Sequence, residues 1–161
     1  IITDPPYNIS KNNNFSTMKN PRKGVDFGDW DKEFDLYSWI KPYTEILNKN
    51  GSIIIFCSYR YISHFVDELE KNNLIVKDII KWEKWKERTK HPTQKSLKLM
   101  EDLIKVHTNS YDTILDLFMG SGTTGVAALN LNRKFIGVEI DENYFNIAKS
   151  RISSASNLFN L

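Results

Sequence analysis

The stretch Thr113-Ile114-Leu115-Asp116-Leu117-Phe118-Met119-Gly120-Ser121-Gly122-Thr123-Thr124-Gly125 leaves few folds open. A β-branched apolar run stops at an acid, and glycines follow in the spacing G-x-G-x-x-G. A helical pattern then takes over through Val126 to Leu131. A strand that turns through glycines into a helix start at Thr123 offers unpaired N–H groups to an anion. The next apolar run, Lys134 to Glu139, ends in an acid that can accept both hydroxyls of a ribose. This context predicts an adenosine-bearing cofactor. NAD and S-adenosylmethionine both carry that ribose, and both suit such a loop.

The rest of the chain repeats the alternation. Ile1-Ile2-Thr3 reads as a strand, and Leu36, Trp39, Ile40, Tyr43 and Leu47 read as a helix with Pro42 kinking it or setting its first turn. Ser52 to Cys57 reads as a second strand. Ile62, Phe65, Val66 and Leu69 mark a helix closed by Asn72-Asn73, and Ile75 to Trp82 reads as a third strand. Leu97, Met100, Leu103 and Ile104 give a further helix. Asp141 caps a last one with Tyr144, Ile147, Ala148 and Ile152 on one face, and the polar tail from Ser153 is expected to fray. Strands alternating with helices imply right-handed crossovers and a doubly wound, mostly parallel α/β sheet. Ligands of such sheets bind at the carboxyl ends of strands, where Asp4, Ser58, Phe118 and Glu139 fall.

Asp4-Pro5-Pro6-Tyr7 closes the first strand. Each proline fixes φ and lacks an N–H, so the turn is stiff. It presents two acceptors, the Asp4 carboxylate and the Pro5 carbonyl, beside an aromatic ring. Such a set suits a planar group bearing an NH2. A capping Asp in a proline turn is the plainer reading of these four residues. The glycine loop tips the balance, because the turn has no part in hydride transfer and a ready one in methylating an amino group. No partner for hydride transfer is found.

Composition sets the remaining bounds. The 161 residues, 40% hydrophobic and 26% charged, fit one globular domain with a real core. A net charge of +2 is compatible with nucleic acid without arguing for it. Cys57 is the only cysteine, which rules out an internal disulfide and suggests a reducing compartment. It lies after Phe56 in an apolar run, as a structural thiol would, and not in the Pro-Cys pair of enzymes that methylate carbon 5 of cytosine. No apolar run reaches transmembrane length, and no signal peptide is seen. His64, His91 and His107 are not spaced as metal ligands, so no metal is expected. The polar stretch 8–32 reads as a lid, a DNA-contacting arm or a solvated loop. Residues 81–91 interleave basic residues with Trp82 and Trp85, a pattern for phosphates and bases or for a solvated linker.

Three motifs together resemble the DNA amino-methyltransferases that modify N6 of adenine or N4 of cytosine. They are Asp4-Pro5-Pro6-Tyr7, the run from Asp116 to Gly125, and His91-Pro92-Thr93-Gln94-Lys95-Ser96. The catalytic motif precedes the cofactor motif, as in the circularly permuted β group of bacterial restriction-modification systems. The resemblance implies one Rossmann-like catalytic domain over residues 1–161, with S-adenosylmethionine as cofactor. Asp4, Pro5, Pro6 and Tyr7 would be catalytic: Asp4 and the Pro5 carbonyl hold the target NH2, and Tyr7 stacks on the flipped base. Asp4, Thr93, Lys95, Asp116, Phe118, Gly120, Ser121, Gly122, Thr123 and Glu139 would line the cofactor, with Thr93 and Lys95 at its methionine end and Glu139 on the ribose.

An Asp in the first motif position leans toward adenine N6, with N4-cytosine activity or a non-catalytic DNA-binding relative as alternatives. Protein-glutamine and RNA methyltransferases share the Pro-Pro-Tyr turn but start it with Asn and place it after the glycine loop. The implied partner is double-stranded DNA with a flipped base, in the bacterial cytoplasm and without a membrane. A homodimer and a cognate restriction endonuclease are further partners that the family allows. The chain departs from the family in two places. It starts inside a strand, without the preceding strand and its cofactor-holding acid, and eight residues between Trp82 and His91 are too few for a target-recognition region.

Overall fold

The computed structural model describes residues 1–8, 31–82 and 95–157. The chain forms two compact units. The first comprises Ile1–Asp4, Leu47–Phe56 and Asp78–Leu161, and the second comprises Pro5–Ile46 and Cys57–Lys77.

In the first unit, β1 (Ile2–Thr3) pairs in parallel with β2 (Ile54–Ile55), with Ile2 opposite Ile54. The pairing extends beyond these bounds, since Ile54 N donates to Ile1 O and Phe56 N donates to Thr3 O. A second parallel pair joins β3 (Thr113–Asp116) to β4 (Lys134–Gly137), with Asp116 opposite Gly137. β1 lies alongside β3. Helix α3 (Leu97–His107) packs on α4 (Thr123–Asn130), and α4 packs on α5 (Glu142–Asn157). Ser96 caps α3 by accepting the Leu99 N–H at 3.1 Å. The core is built from Ile2, Met100, Ile104, Ile114, Ala127 and Ala128, with Phe56 and Phe135 packed against it. The two alanines let α4 approach the strands closely, so the turn that feeds α4 is set by the core. Arg133 ties off the end of α3, donating to Thr108 O at 2.8 Å and to Thr108 Oγ1 at 3.0 Å.

The second unit holds α1 (Ile40–Ile46), a 3₁₀ turn (Tyr59–Tyr61) and α2 (Ile62–Lys71). Phe65 of α2 is buried among Trp39 and Tyr37, with ring centroids 6.3 Å and 5.6 Å away.

Three expectations are corrected. The first helix begins at Ile40 rather than at Leu36, because the Asp35 carboxylate takes the N–H groups of Tyr37 and Ser38 at 2.9 Å and 3.0 Å and holds them in a turn. Pro42 accordingly falls in the first helical turn, where its missing N–H costs nothing. Ile75–Trp82 is not a strand. Ile75, Ile79 and Ile80 are exposed, and the Ile79 N–H is taken locally by Asp78 Oδ1 at 2.7 Å. The tail does not fray at Ser153, because α5 continues to Asn157 and buries Ala155. Asp141 caps α5 as expected, accepting the Tyr144 N–H at 2.9 Å.

Candidate cofactor and catalytic site

The turn between β3 and α4 occupies residues 117–122. Gly120 (φ 51°) and Gly122 (φ 78°) both adopt the left-handed conformation that favours glycine. Their surroundings differ. A Cβ built at Gly120 meets nothing within 4 Å among the described residues, so that backbone borders open space there. A Cβ at Gly122 would stand 2.9 Å from Ala148 Cβ, and one at Gly125 would stand 2.6 Å from Ile152 Cδ1. The spacing thus serves two ends: Gly120 leaves room for a ligand, while Gly122 and Gly125 let the turn and α4 press onto α5.

Side chains from neighbouring elements pin this turn. Glu139, just past β4, accepts the Gly120 N–H on Oε2 at 2.8 Å and the Asp141 N–H on Oε1 at 2.9 Å. From α5, Arg151 Nη1 donates to the Ser121 carbonyl, to Ser121 Oγ at 2.9 Å and to Thr123 Oγ1 at 3.4 Å. Asp116 lies beneath the turn, only 3% exposed, and accepts the Phe118 N–H at 3.2 Å. Burial pushes its pKa up to about 7, with the charges of Asp4 and Glu139 adding to the rise. The Thr124 hydroxyl and the Phe118 N–H act in the opposite direction. Asp4, past the end of β1, and Glu139, past the end of β4, thus lie near enough to Asp116 for their charges to act on it within the first unit. Asp4 is there joined by Lys95, whose Nζ lies 2.5 Å from Asp4 Oδ2.

The unit boundary falls between Asp4 and Pro5, so the rest of the proline turn belongs to the second unit. There the carboxylate of Asp31, 2% exposed, accepts the N–H groups of Tyr7 and Asn8 on Oδ1 at 2.7 Å and 2.9 Å. Asn8 (φ 50°) clips the same turn to Phe34: its Nδ2 donates to Phe34 O at 2.8 Å, and its Oδ1 accepts the Phe34 N–H at 2.9 Å.

Asp4, Lys95, Asp116, Phe118, Gly120, Ser121, Gly122, Thr123 and Glu139 all lie in the first unit, and Pro5, Pro6 and Tyr7 in the second. Thr93 lies outside the described residues. So do 9–30 of the polar stretch and 83–91 of the basic-aromatic stretch. Asp31, Asn8 and Arg151 are missed by sequence reasoning. Asp31 sits in a polar run that looks like open loop. Arg151 carried a usable signal, since it is three residues after Ala148 and adjoins Ile152 on the inward face of α5. Cys57 is partly buried, and burial pushes its thiol up, away from nucleophile character.

Parallel strands whose acids gather on one rim, with a glycine turn opening into a helix, make this an α/β protein of Rossmann-like type. Comparison with known proteins carries the assignment further. The DNA methylase family model matches residues 1–87 and 83–150, and the chain belongs to that family. A Type II methyltransferase, M2.DpnII of Streptococcus pneumoniae, is 29% identical over 96% of this chain and 82% of its own length. That alignment runs over 221 residues, more than the chain possesses, so the relative carries residues that this chain lacks. The DNA adenine methyltransferase YhdJ of Escherichia coli is 44% identical over 41% of this chain and 22% of its own length. The crystal structure of an M1.HpyAVI–SAM complex superposes with a TM-score of 0.69 at 37% identity, covering 93% of this chain and 86% of that one.

Proposed function

We propose that this protein is a site-specific DNA methyltransferase that moves a methyl group from S-adenosylmethionine to N6 of adenine in double-stranded DNA. One observation carries the reading. Asp4, which heads the proline turn, lies close enough to Asp116 beneath the glycine turn for its charge to act there, both within the first unit. Opposite rims would forbid the transfer.

The residues suit the cofactor. The space beside Gly120 admits a ligand against the backbone, and Glu139 keeps lone pairs for ribose hydroxyls beyond the two N–H groups it accepts. Carboxylates on the rim favour a sulfonium cation. S-adenosylmethionine supplies, when bound, a methyl group activated by that positive sulfur. Asp4 and the Pro5 carbonyl accept the hydrogens of the target NH2 and hold its lone pair toward the methyl. They also stabilise the positive charge that develops on nitrogen before one proton leaves to solvent. Extruding the base costs on the order of a few kcal/mol. Stacking on Tyr7 returns roughly 1–3 kcal/mol of that.

Adenine is favoured by Asp at the first motif position and by the likeness to a DNA adenine methyltransferase. The chain is read as one permuted catalytic domain with a doubly wound sheet, in the bacterial cytoplasm, beside a cognate endonuclease. No helix among the described residues is long and apolar enough to cross a membrane. The family model divides at residues 83–87, which fits a target-recognition region lost near 82–91. Nucleoside mass spectrometry of DNA incubated with the protein and S-adenosylmethionine tests the proposal. N6-methyladenine is expected, N4-methylcytosine would move the target to cytosine, and unmodified DNA would leave a non-catalytic relative. Asp4→Ala is expected to lower methylation about 100- to 1000-fold while cofactor binding persists, checked by transfer of labelled methyl.

A further inference from the structure

Lys95 is implied by family resemblance to lie at the methionine end of the cofactor, yet in the structure its ammonium is on the carboxylate of Asp4. Nζ donates to Asp4 Oδ2 at 2.5 Å, with the two side chains 14% and 25% exposed. The same Nζ lies 4.9 Å from the centroid of the Phe56 ring. Phe56 is itself fixed to the strand that leads into Asp4, through its N–H on Thr3 O at 2.9 Å. On the other side, Lys95 adjoins Ser96, which caps α3. Neither end of the lysine is therefore loosely placed. Its charge also has work at this spot, because Asp4 shares its rim with the carboxylates of Asp116 and Glu139. A carboxylate among like charges tends to rotate toward water, away from where the target amino group needs an acceptor.

The geometry points to Lys95 as a positioning residue for methyl transfer, which holds Asp4 in place as an acceptor through Oδ2 and is not the anchor of the cofactor's carboxylate. This rests on the proposed catalytic role of Asp4. It differs from that role in what it predicts. Loss of the ammonium leaves cofactor binding intact and damages the chemical step.

Lys95→Met, Lys95→Arg, Asp4→Asn and the Lys95→Met/Asp4→Asn pair test it in the full protein. The measurements are S-adenosylmethionine affinity by calorimetry, methylation at saturating cofactor, and melting temperature. Lys95→Met is expected to bind the cofactor within about threefold of wild type and to lose about 100-fold in kcat. Lys95→Arg should regain most of that loss, and the melting effects of the double variant should not be additive. A tenfold or greater loss of cofactor affinity in Lys95→Met, with kcat kept at saturation, would overturn the inference and return Lys95 to the cofactor. Additive melting effects would overturn it too. Should the wild-type protein methylate no DNA, the proposed function fails by itself. Cofactor affinity and the melting cycle then still decide whether Lys95 serves Asp4.

Discussion

The glycine turn of the first unit and the proline turn of the second are held in different ways. Residues 117–122 have little conformation of their own, since glycines populate both signs of φ. Their shape is imposed from outside: Glu139 takes one N–H, Arg151 takes one carbonyl, and Ala148 leaves no room for a Cβ at Gly122. Pro5-Pro6-Tyr7 is stiff by its covalent rings and needs only a clip at its far end, which Asp31 and Asn8 provide. A flexible turn thus depends on distant elements for its shape, whereas a rigid one depends on them only for its orientation. Damage to the supports should unmake the first turn and merely misdirect the second.

The largest effect is expected from Gly122→Ala. It forces a side chain into φ 78° and into contact with Ala148. A loss of about 2–4 kcal/mol, with cofactor affinity falling alongside, should appear as a lower melting temperature and a weak calorimetric signal. If the protein keeps both, the turn does not depend on α5.

Asp31→Ala sharpens the contrast from the other side. It strands the N–H groups of Tyr7 and Asn8 and should cost about 1–3 kcal/mol in denaturant titrations. Methylation should fall while S-adenosylmethionine affinity stays, because the cofactor turn belongs to the other unit. Equal losses of both would erase the distinction.

Arg151→Met keeps the packing length but releases the Ser121 carbonyl. A cost of about 1–2 kcal/mol is expected, together with weaker cofactor binding and an unchanged KM for DNA. Lost DNA binding with normal cofactor affinity would show that Arg151 serves another purpose.

The last effect concerns pH. Folding raises the pKa of Asp116 from the ordinary carboxylate range to about 7, so the folded state binds the extra proton. Stability from this group is therefore full below about pH 4 and is lost as pH rises through about 7. Asp116→Asn should flatten that decline in denaturant midpoints measured between pH 5 and pH 8. An unchanged slope would mean that another group carries it.

Local chemistry accounts for what could be read along the chain. The strand–glycine–helix context of residues 113–131, the cap at Asp141 and the stiff proline turn follow from φ preferences and side-chain reach within a few residues. Those rules need no partner, so the parallel α/β alternation and the acids at the strand ends were legible in the residues alone. Ile75–Trp82 shows where they stop working. Its apolar content suits a strand, but a strand needs a neighbour to pair with, and Asp78 claims the Ile79 N–H first. Packing settled which polar groups meet across long sequence separations: Lys95 with Asp4, Arg151 with Ser121, and Asp31 with Tyr7. Such pairings depend on where the core sets each backbone, and a long side chain adapts to that position only after the fold exists.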